Sequence, residues 1–330
     1  DAPDAAGGSR TTLFGDDFFV ERDLMLQGIT AKETVYFPTP DWWDLQSDPV
    51  VNLQFNHSGS ISPSRSSLSL RVNGIAIAST PLDATNVLNG VVEAQIPRDA
   101  LRPYNELKIE IVQHVDEECE DPFDPVLWTR VSRQSSVIWD YQRKSASLEL
   151  SEFPLTVFDP RGYGPLEIAL AGSGSLSDGQ LEAIGILGFS LGREAAYRHV
   201  NVLPPDTDID SGPAHHLLIV GTPGENPLVS RFVDRVPGPG EGLVRVAQHP
   251  LDPRVGVVVV TGGDAAGVRR AAQGLAGANR REILSGSTSI VNEMRDFAQT
   301  ETRQDPLPAP HVERFTLSDL DFEDRTVRGY

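Results

Sequence analysis

The sequence predicts a two-domain protein in which a β-sandwich is followed by an α/β domain. Its 330 residues exceed the roughly 250–300 residues that a single hydrophobic core usually supports. The first half alternates apolar and polar residues with no convincing helix, whereas the second half alternates short apolar strands with helical segments. The change falls near Glu152, which gives domains over residues 23–151 and 152–303.

The β-sandwich is predicted from period-two alternation. Apolar residues occupy every second position in 51–55 and in 107–111, as expected of strands with one buried face. Asn73 and Gly74 separate two further alternating runs, and because both residue types tolerate positive φ this pair predicts a tight hairpin. About seven or eight such strands without a helix are typical of a sandwich or jelly roll.

The α/β domain is predicted from strands that alternate with helices. Leu181–Ala195 has apolar residues on one helical face after candidate N-caps at Ser177 and Asp178, and Asp264–Ala276 is a second, Ala-rich helix. Several strands are apolar throughout, which favours a parallel sheet covered on both faces and hence a flavodoxin-like, three-layer domain. The predicted strands are Pro154–Phe158, Leu166–Ala171, Val200–Leu203, Leu217–Gly221, Leu243–Ala247 and Val255–Thr261.

Both ends of the chain fall outside these two domains. Residues 1–22 are predicted to be a flexible arm, because the first dozen are rich in Ala, Gly and Asp. Three prolines in Gln304–Pro310 predict a stiff linker. Phe315–Leu320 is similar to Leu24–Ile29, so residues 304–330 are predicted to hold this linker and the start of a second β-domain.

The composition narrows the class of partner. There are 28 Lys and Arg residues against 47 Asp and Glu, and the net charge of −19 disfavours contact with nucleic acid or an anionic membrane surface. A neutral polysaccharide carries no charge to repel. No stretch approaches the roughly 20 apolar residues of a membrane helix. The single cysteine, Cys119, and the spacing in the acidic loop His114–Asp121 favour no zinc or calcium site, so we predict neither metal nor cofactor.

One motif suggests an enzymatic function. Gly188–Gly192 matches G-x-S-x-G, the nucleophile turn of α/β-hydrolases, which would make Ser190 a nucleophile. That turn requires a strand before the serine and a helix after it, but Ser190 falls within a predicted helix. A hydrolase-type enzyme using Ser190 is therefore the alternative hypothesis, and it requires a histidine within hydrogen-bond reach of that serine.

A third hypothesis concerns a Gly-rich turn in the α/β domain. Thr261–Asp264 lies between an apolar strand and a helix, where backbone N–H groups cradle phosphates in nucleotide-binding and flavin-binding domains. The motif is incomplete, and the Asp264 carboxylate would repel a phosphate. Ordinary capping of the helix by Asp264 explains the same residues.

Tryptophans are the candidate sugar contacts. The C–H faces of sugar rings pack on aromatic planes, so an exposed tryptophan favours polysaccharide binding. Trp42 and Trp43 follow Pro-Thr-Pro-Asp in a loop-like stretch, and Trp128 lies beside the acidic loop. In an extended segment the adjacent Trp42 and Trp43 point to opposite sides, which favours exposure of one of them. Trp139, in a strand-like run, is predicted to fill the core.

Several segments resemble one protein family, and they occur in the family's order. The matching segments are Leu26–Ile29, Val35–Phe37, Asn105–His114, Cys119–Pro122, Leu127–Trp128 and Phe158–Asp159. Together they resemble the accessory B subunit of bacterial cellulose synthase. The resemblance covers most of the chain from Leu24 onward, corresponds to the N-terminal half of that subunit, and is most specific over Gln113–Ser132.

The resemblance implies a non-catalytic periplasmic subunit with a part in cellulose biosynthesis and biofilm formation. Members of this family alternate jelly-roll, carbohydrate-binding-like domains with flavodoxin-like domains. They partner the catalytic subunit of cellulose synthase, which places them in UDP-glucose metabolism, and the nascent β-1,4-glucan passes alongside them across the periplasm. A C-terminal anchor, absent from this chain, would hold them in the inner-membrane complex. On this interpretation Trp42, Trp43 and Trp128 are glucan contacts and no residue is catalytic.

Cyclic di-GMP is often associated with this family. The sequence has no Arg-x-x-x-Arg paired with Asp-x-Ser-x-x-Gly, the pattern of the common receptor domain for that dinucleotide. The strongly negative net charge argues in the same direction. We therefore predict no nucleotide binding.

Overall fold

The strand pattern of the first half folds into two β-sheets. The computed structural model describes residues 7–115, 120–172, 176–196, 198–203, 209–277 and 279–292, so the predictions for Cys119 and for 304–330 lie outside the described residues. The strands of the first domain are β1 (Gly7–Leu13), β2 (Leu24–Gln27), β3 (Thr30–Pro38), β4 (Trp43–Leu45), β5 (Val50–His57), β6 (Ser67–Val72), β7 (Ile75–Pro81), β8 (Gly90–Gln95), β9 (Tyr104–Val112), β10 (Trp128–Val131) and β11 (Ser136–Arg143).

These strands form a sandwich with one shared core. The seven-stranded sheet has the order β1-β11-β5-β10-β2, with β4 on β11 and β8 on β5, and the four-stranded sheet has the order β3-β9-β6-β7. Alternate residues of both sheets point inward, and Leu53, Leu70 and Trp139 are fully buried in the same cluster. The predicted hairpin is confirmed: Asn73 and Gly74 both have positive φ and join β6 to β7.

The N-terminal arm is a correction to the sequence prediction. From Gly7 onward the chain is not loose, because β1 pairs with β11 along its whole length. The Thr12 hydroxyl donates to the Val137 carbonyl at 3.1 Å and accepts from the Trp139 indole at 2.9 Å. Phe14 follows in the core with no exposed surface. Composition failed here because the strand is held by a partner more than a hundred residues away.

The second domain is a mixed β-sheet with helices. Its sheet has the order β13-β12-β14-β16-β15-β17, in which β13, β12, β14 and β16 are parallel and β15 and β17 are antiparallel. Its elements are β12 (Leu166–Ala171), α1 (Asp178–Ala195), β13 (Val200–Leu203), β14 (Leu217–Val220), α2 (Val229–Phe232), β15 (Gly242–His249), β16 (Asp252–Gly262), α3 (Ala265–Ala276), α4 (Arg280–Ile283) and β17 (Thr288–Val291).

Two of the predicted strands differ from expectation. Pro154–Phe158 forms turns, because the N–H groups of Val157 and Phe158 bond to the Pro154 carbonyl within the segment. The segment predicted as a parallel strand at Leu243–Ala247 is the antiparallel partner of β16. An apolar run indicates a buried strand but carries no information on its direction, which is why the sequence could not decide this point.

The predicted helices and their caps are present. The Ser177 side chain accepts from the Gln180 backbone N–H and the Gln180 side chain accepts from the Ser177 N–H, which forms a capping box at the start of α1. The Asp264 side chain caps α3 by accepting from the Gly267 N–H. The two helices pack against each other, and α3 contacts β15 and β16.

In the described part of the chain, the opposite face of this sheet packs against the one-turn helix α2 and its neighbours. Val229 and Val233, at the one-turn helix α2, pack with Ile209 against sheet residues such as Leu217 and Val257. Among the described residues no helix is long and apolar enough to cross a membrane.

Gly256 in β16 lets this sheet pack closely against the chain around Thr156, before the first strand of the domain. A Cβ added at Gly256 would lie 1.8 Å from the carbonyl oxygen of Thr156, which is itself fully buried. We expect Gly256→Ala to lower the free energy of unfolding by at least about 2 kcal/mol through overpacking. Urea unfolding followed by circular dichroism measures this.

The matched control is Gly185→Ala on α1, where an added Cβ meets nothing within 4 Å. There we expect a gain of about 0.5–1 kcal/mol, because alanine is the better helix former. Equal effects at the two positions would contradict the proposed packing.

Candidate functional site

The two domains meet at Trp42. Its indole N–H donates to the carbonyl of Leu155 at 2.7 Å, and its backbone N–H donates to the Asp159 carboxylate at 2.9 Å. Its ring stacks on His216 at 5.1 Å between centroids, and the Arg143 guanidinium lies 4.3 Å from the ring centre. One loop residue of the sandwich thereby contacts both the connecting segment, residues 144–165, and the residue just before β14.

His216 is held as a neutral imidazole. Arg143 Nη2 lies 2.9 Å from its Nε2, and the Gly256 backbone N–H donates to its Nδ1 at 3.0 Å. Because a neutral imidazole has one acceptor nitrogen, the Gly256 N–H identifies Nδ1 as that acceptor, and Arg143 Nη2 lies against the other ring nitrogen. Burial, followed by the positive charge of Arg143, lowers the pKa of His216 to about 3. The side chain is thus engaged in packing and is a poor general base.

Asp159 is the buried carboxylate of the same junction. One of its oxygens accepts from the Trp42 N–H and the other from the Arg161 N–H at 2.9 Å. Burial raises the pKa of Asp159, and the two backbone N–H groups act in the opposite direction. Both oxygens serve to orient the connecting segment.

Tyr163 extends the junction into the sandwich core. Its hydroxyl donates to the Pro38 carbonyl at 2.7 Å, and its ring lies 5.6 Å from that of Trp43 and 6.0 Å from that of Phe18. Close by, the Ala146 N–H donates to the Pro253 carbonyl at 2.8 Å. Aromatic packing and backbone hydrogen bonds therefore fix one domain on the other, within the single unit that ends at Asn292.

A cleft of about 780 Å³ opens beside this junction. It is lined by Arg10, Trp42, Tyr163, Glu167, Arg198 and His215. Within the described part of the chain no group of three or more His, Cys, Asp or Glu side chains could hold a metal ion. The cleft is an opening between domains in which the titratable side chains of His216 and Asp159 already have partners.

The three predicted sugar contacts have different surroundings. Trp43 lies in the sandwich core, 8 % exposed and stacked on Tyr141 at 4.1 Å, so it cannot meet a sugar, and its choice as a contact was wrong. Trp42 is partly buried at the domain junction. Trp128 is partly exposed and points outward from β10. Adjacent residues do point to opposite sides, but the inward one fills the core and the outward one meets the second domain.

The hydrolase hypothesis fails on local geometry. Ser190 is buried inside α1, twelve residues after the helix begins at Asp178. Its hydroxyl has no hydrogen-bond partner among the described residues. A serine in the middle of a helix does not lie on the strand-to-helix turn that a nucleophile elbow requires.

The phosphate hypothesis at Thr261–Asp264 also fails. The Asp264 carboxylate accepts from the backbone N–H groups of Gly267 and Gly240 at 2.8 and 2.9 Å, so it fills the N-terminus of α3. A Cβ on Gly263 would lie 2.0 Å from the Gly238 carbonyl, which shows how closely the neighbouring loop covers this turn. A phosphate would have to displace both the carboxylate and this loop.

The crevice at the C-terminal ends of β12 and β14 is filled in the same way. Glu225 accepts from the Ser177 hydroxyl at 2.7 Å and from the Thr222 N–H at 2.9 Å, and these hydrogen bonds, that of the Thr222 N–H foremost, lower the pKa of Glu225. Asn226 bridges the two strands through the carbonyls of Ala171 and Val220. Sequence reasoning missed this arrangement, since its residues are ordinary turn formers.

We expect Trp42→Ala to uncouple the two domains. The substitution removes the indole packing and the bond to Leu155, which together contribute about 2–4 kcal/mol. Calorimetry should then resolve two unfolding transitions, whereas we expect a single transition for the unaltered chain. Trp42→Phe, which keeps a ring but loses the N–H, should have a smaller effect. A single unchanged transition in Trp42→Ala would contradict this role.

We expect stability to decrease as the pH falls, because the folded chain holds His216 as the neutral form. Its folded pKa is about 3 and its ordinary pKa is 6.5, so the unfolded chain binds this proton first. The contribution of His216 to the free energy of unfolding is complete above about pH 6.5. It decreases as the pH falls towards 3, by up to about 1.4 kcal/mol per pH unit. His216→Gln should have a shallower pH dependence in urea unfolding, and identical slopes would overturn the assignment.

Two family models match the chain in succession. The model described as "Cellulose synthase BcsB, first CBM domain" matches residues 10–143, and "Cellulose synthase BcsB, first FD domain" matches residues 149–291. The first match covers the sandwich from β1 to β11, and the second covers most of the connecting segment and the sheet to β17.

Curated relatives agree with these matches. The "Cyclic di-GMP-binding protein" of Escherichia coli O157:H7 is 26% identical over 279 residues, which is 82% of this chain and 34% of that protein. The protein of the same name from Pseudomonas fluorescens is 25% identical over 94% of this chain and 40% of its own length. "Putative cellulose synthase 2" of Komagataeibacter xylinus is 26% identical over 79% of this chain and 16% of its length.

The chain spans about a third of the length of the first of these relatives. The two matched domains follow each other in the chain without overlap and both come from the same protein. The chain belongs to the cellulose synthase BcsB family, and it carries that family's first CBM domain and first FD domain.

Proposed function

We propose that this chain is the N-terminal part of a non-catalytic subunit of bacterial cellulose synthase. The observation that carries the proposal is the succession of two BcsB domains over residues 10–143 and 149–291. In this role it partners the synthase's catalytic subunit in the periplasm and guides the nascent β-1,4-glucan.

The chemistry of the described residues supports a role without catalysis. The titratable groups at the domain junction already have partners: both Asp159 oxygens accept from backbone N–H groups, and His216 Nδ1 accepts from the Gly256 N–H. Ser190 lies inside a helix. The strongest candidates for acid, base and nucleophile are thus all committed to packing.

We further propose that the second domain is flavodoxin-like in strand order but serves as a rigid spacer. The order β13-β12-β14-β16 has the second strand beside the first and the third on its other side, as in flavodoxin-like sheets. Cofactors of such domains bind at the crevice between the first and third strands. Here Glu225 and Asn226 occupy that crevice, which favours a domain that keeps the architecture without a cofactor.

The outward face of the seven-stranded sheet is the proposed first contact for glucan. Trp128 lies opposite Gln27 across β10 and β2, and Gln54 and Asn56 of β5 point to the same side. An aromatic plane beside side-chain amides suits a neutral sugar, which offers C–H faces and hydroxyls but no charge.

The relatives' name raises cyclic di-GMP as a ligand. We do not extend that ligand to this chain. The net charge is −19, and the carboxylates of Asp264 and Glu225 already occupy the two helix N-termini where phosphate groups would bind.

Titration of the chain with cellohexaose, followed by residue-resolved NMR, tests the glucan contact. We expect Trp128→Ala to weaken binding at that face several-fold, since one aromatic contact contributes about 0.5–1.5 kcal/mol beyond burial. Binding should not depend on ionic strength, because the ligand is neutral.

Lys32→Ala, which removes an exposed side chain from the four-stranded sheet, is the control, and it should leave binding at the Trp128 face nearly unchanged. Binding of cyclic di-GMP but not cellohexaose would contradict the proposal. Co-purification of the full-length protein with the catalytic subunit tests the partnership separately.

A further inference from the structure

We propose that Tyr36 and Tyr104 form a second glycan site, on the other sheet of the sandwich, and that this site continues into a groove at the domain junction. The proposed ligand is an extended, neutral, β-linked glucan. The choice of glucan rests on the proposed function, whereas the site itself is inferred from exposed aromatic side chains and their placement.

The two tyrosines are unusually open to solvent. Tyr36 is 68 % exposed and Tyr104 is 67 % exposed, although both lie on regular strands. In β3, the neighbours Val35 and Phe37 are buried, so Tyr36 points away from the core. Tyrosine rings of this size normally bury part of their surface, and a pair left open on a sheet face is available to a ligand.

The strand register brings the tyrosines together. Tyr36 pairs with Glu106, and Pro38 pairs with Tyr104, so the two tyrosines are diagonal neighbours on one face of β3 and β9. Diagonal neighbours are about 7–8 Å apart. Two successive rings of an extended glycan can lie across such a pair, with the phenol hydroxyls available to sugar hydroxyls.

The rest of this sheet face carries exposed ion pairs instead of aromatic rings. Glu106 pairs with Lys108 at 3.0 Å, and Arg71 of β6 pairs with Glu110 of β9 at 3.1 Å. Exposed ion pairs of this kind keep a surface hydrated and offer no flat apolar plane. The aromatic surface is therefore confined to the end of the sheet that adjoins the second domain.

A groove of about 650 Å³ begins at Tyr104. Its other walls come from Asp41 of the sandwich, from the connecting segment and from the second domain, and the last two carry Glu152, Arg161, Glu194 and Arg281. Carboxylates and guanidinium groups are the acceptors and donors that sugar hydroxyls use. The groove thus continues the tyrosine pair across the junction, which gives a polymer a path over both domains.

Residue-resolved NMR of the 330-residue chain with cellohexaose tests the site. We expect shifts at residues 34–38, at 104–106 and along the groove, and at least about tenfold weaker binding there in the double variant Tyr36→Ala/Tyr104→Ala. Both side chains are exposed, so the variant should fold, as circular dichroism can verify. Tyr104→Phe keeps the aromatic plane and should retain most of the binding.

Two matched variants separate this site from the other sheet. Lys32→Ala removes an exposed side chain from β3, and Trp128→Ala removes the candidate contact on the seven-stranded sheet. Neither should change the shifts at Tyr36 and Tyr104. Shifts confined to the Trp128 face would overturn this inference and leave the proposed function intact. No shift anywhere at millimolar cellohexaose would overturn both glucan contacts, and co-purification with the catalytic subunit would still decide the accessory role.

Discussion

The position of the second domain depends on how Trp42 satisfies its two N–H groups. Both donate across the junction, to the Leu155 carbonyl and to the buried Asp159 carboxylate. Unsatisfied buried polar groups cost about 1–3 kcal/mol each, so any other placement of the domain would have to replace both bonds. The stacking of Trp42 on His216 and the insertion of Tyr163 beside Phe18 and Trp43 then follow from that placement.

Much of the fold could be predicted from the sequence because periodicity reports burial directly. The alternation in β5 and β9, the Asn73-Gly74 hairpin and the cap at Ser177 are local signals, and each has the structure that it predicts. The errors at β1 and β15 have one cause. In both cases the property that was missed depends on a partner strand and not on local residues. β1 is a strand because it pairs with β11, and the direction of β15 is set by its antiparallel pairing with β16.

The candidate site was harder to predict for the same reason. Trp42 and Trp43 are adjacent and identical, so the sequence does not distinguish them. Only the tertiary structure shows that Trp42 packs on His216 of the second domain and that Trp43 packs on Tyr141 in the core. Tyr36 did carry a usable signal, because it falls between the apolar Val35 and Phe37 in an alternating strand and must therefore point outward. Its closeness to Tyr104 needed the register of β3 on β9.

The crevice at the C-terminal ends of β12 and β14 is filled by side chains of the same domain. A helix N-terminus leaves backbone N–H groups and a partial positive charge that an anion satisfies. In this domain the Ser177 hydroxyl oxygen accepts from the Gln180 N–H at α1 while its hydrogen is donated to Glu225, and Asp264 accepts from the Gly267 N–H at α3. The stability that a bound phosphate would contribute is thus provided by the chain's own side chains. What the domain then offers is a rigid surface, and the groove that begins at Tyr104 is where that surface meets the sandwich.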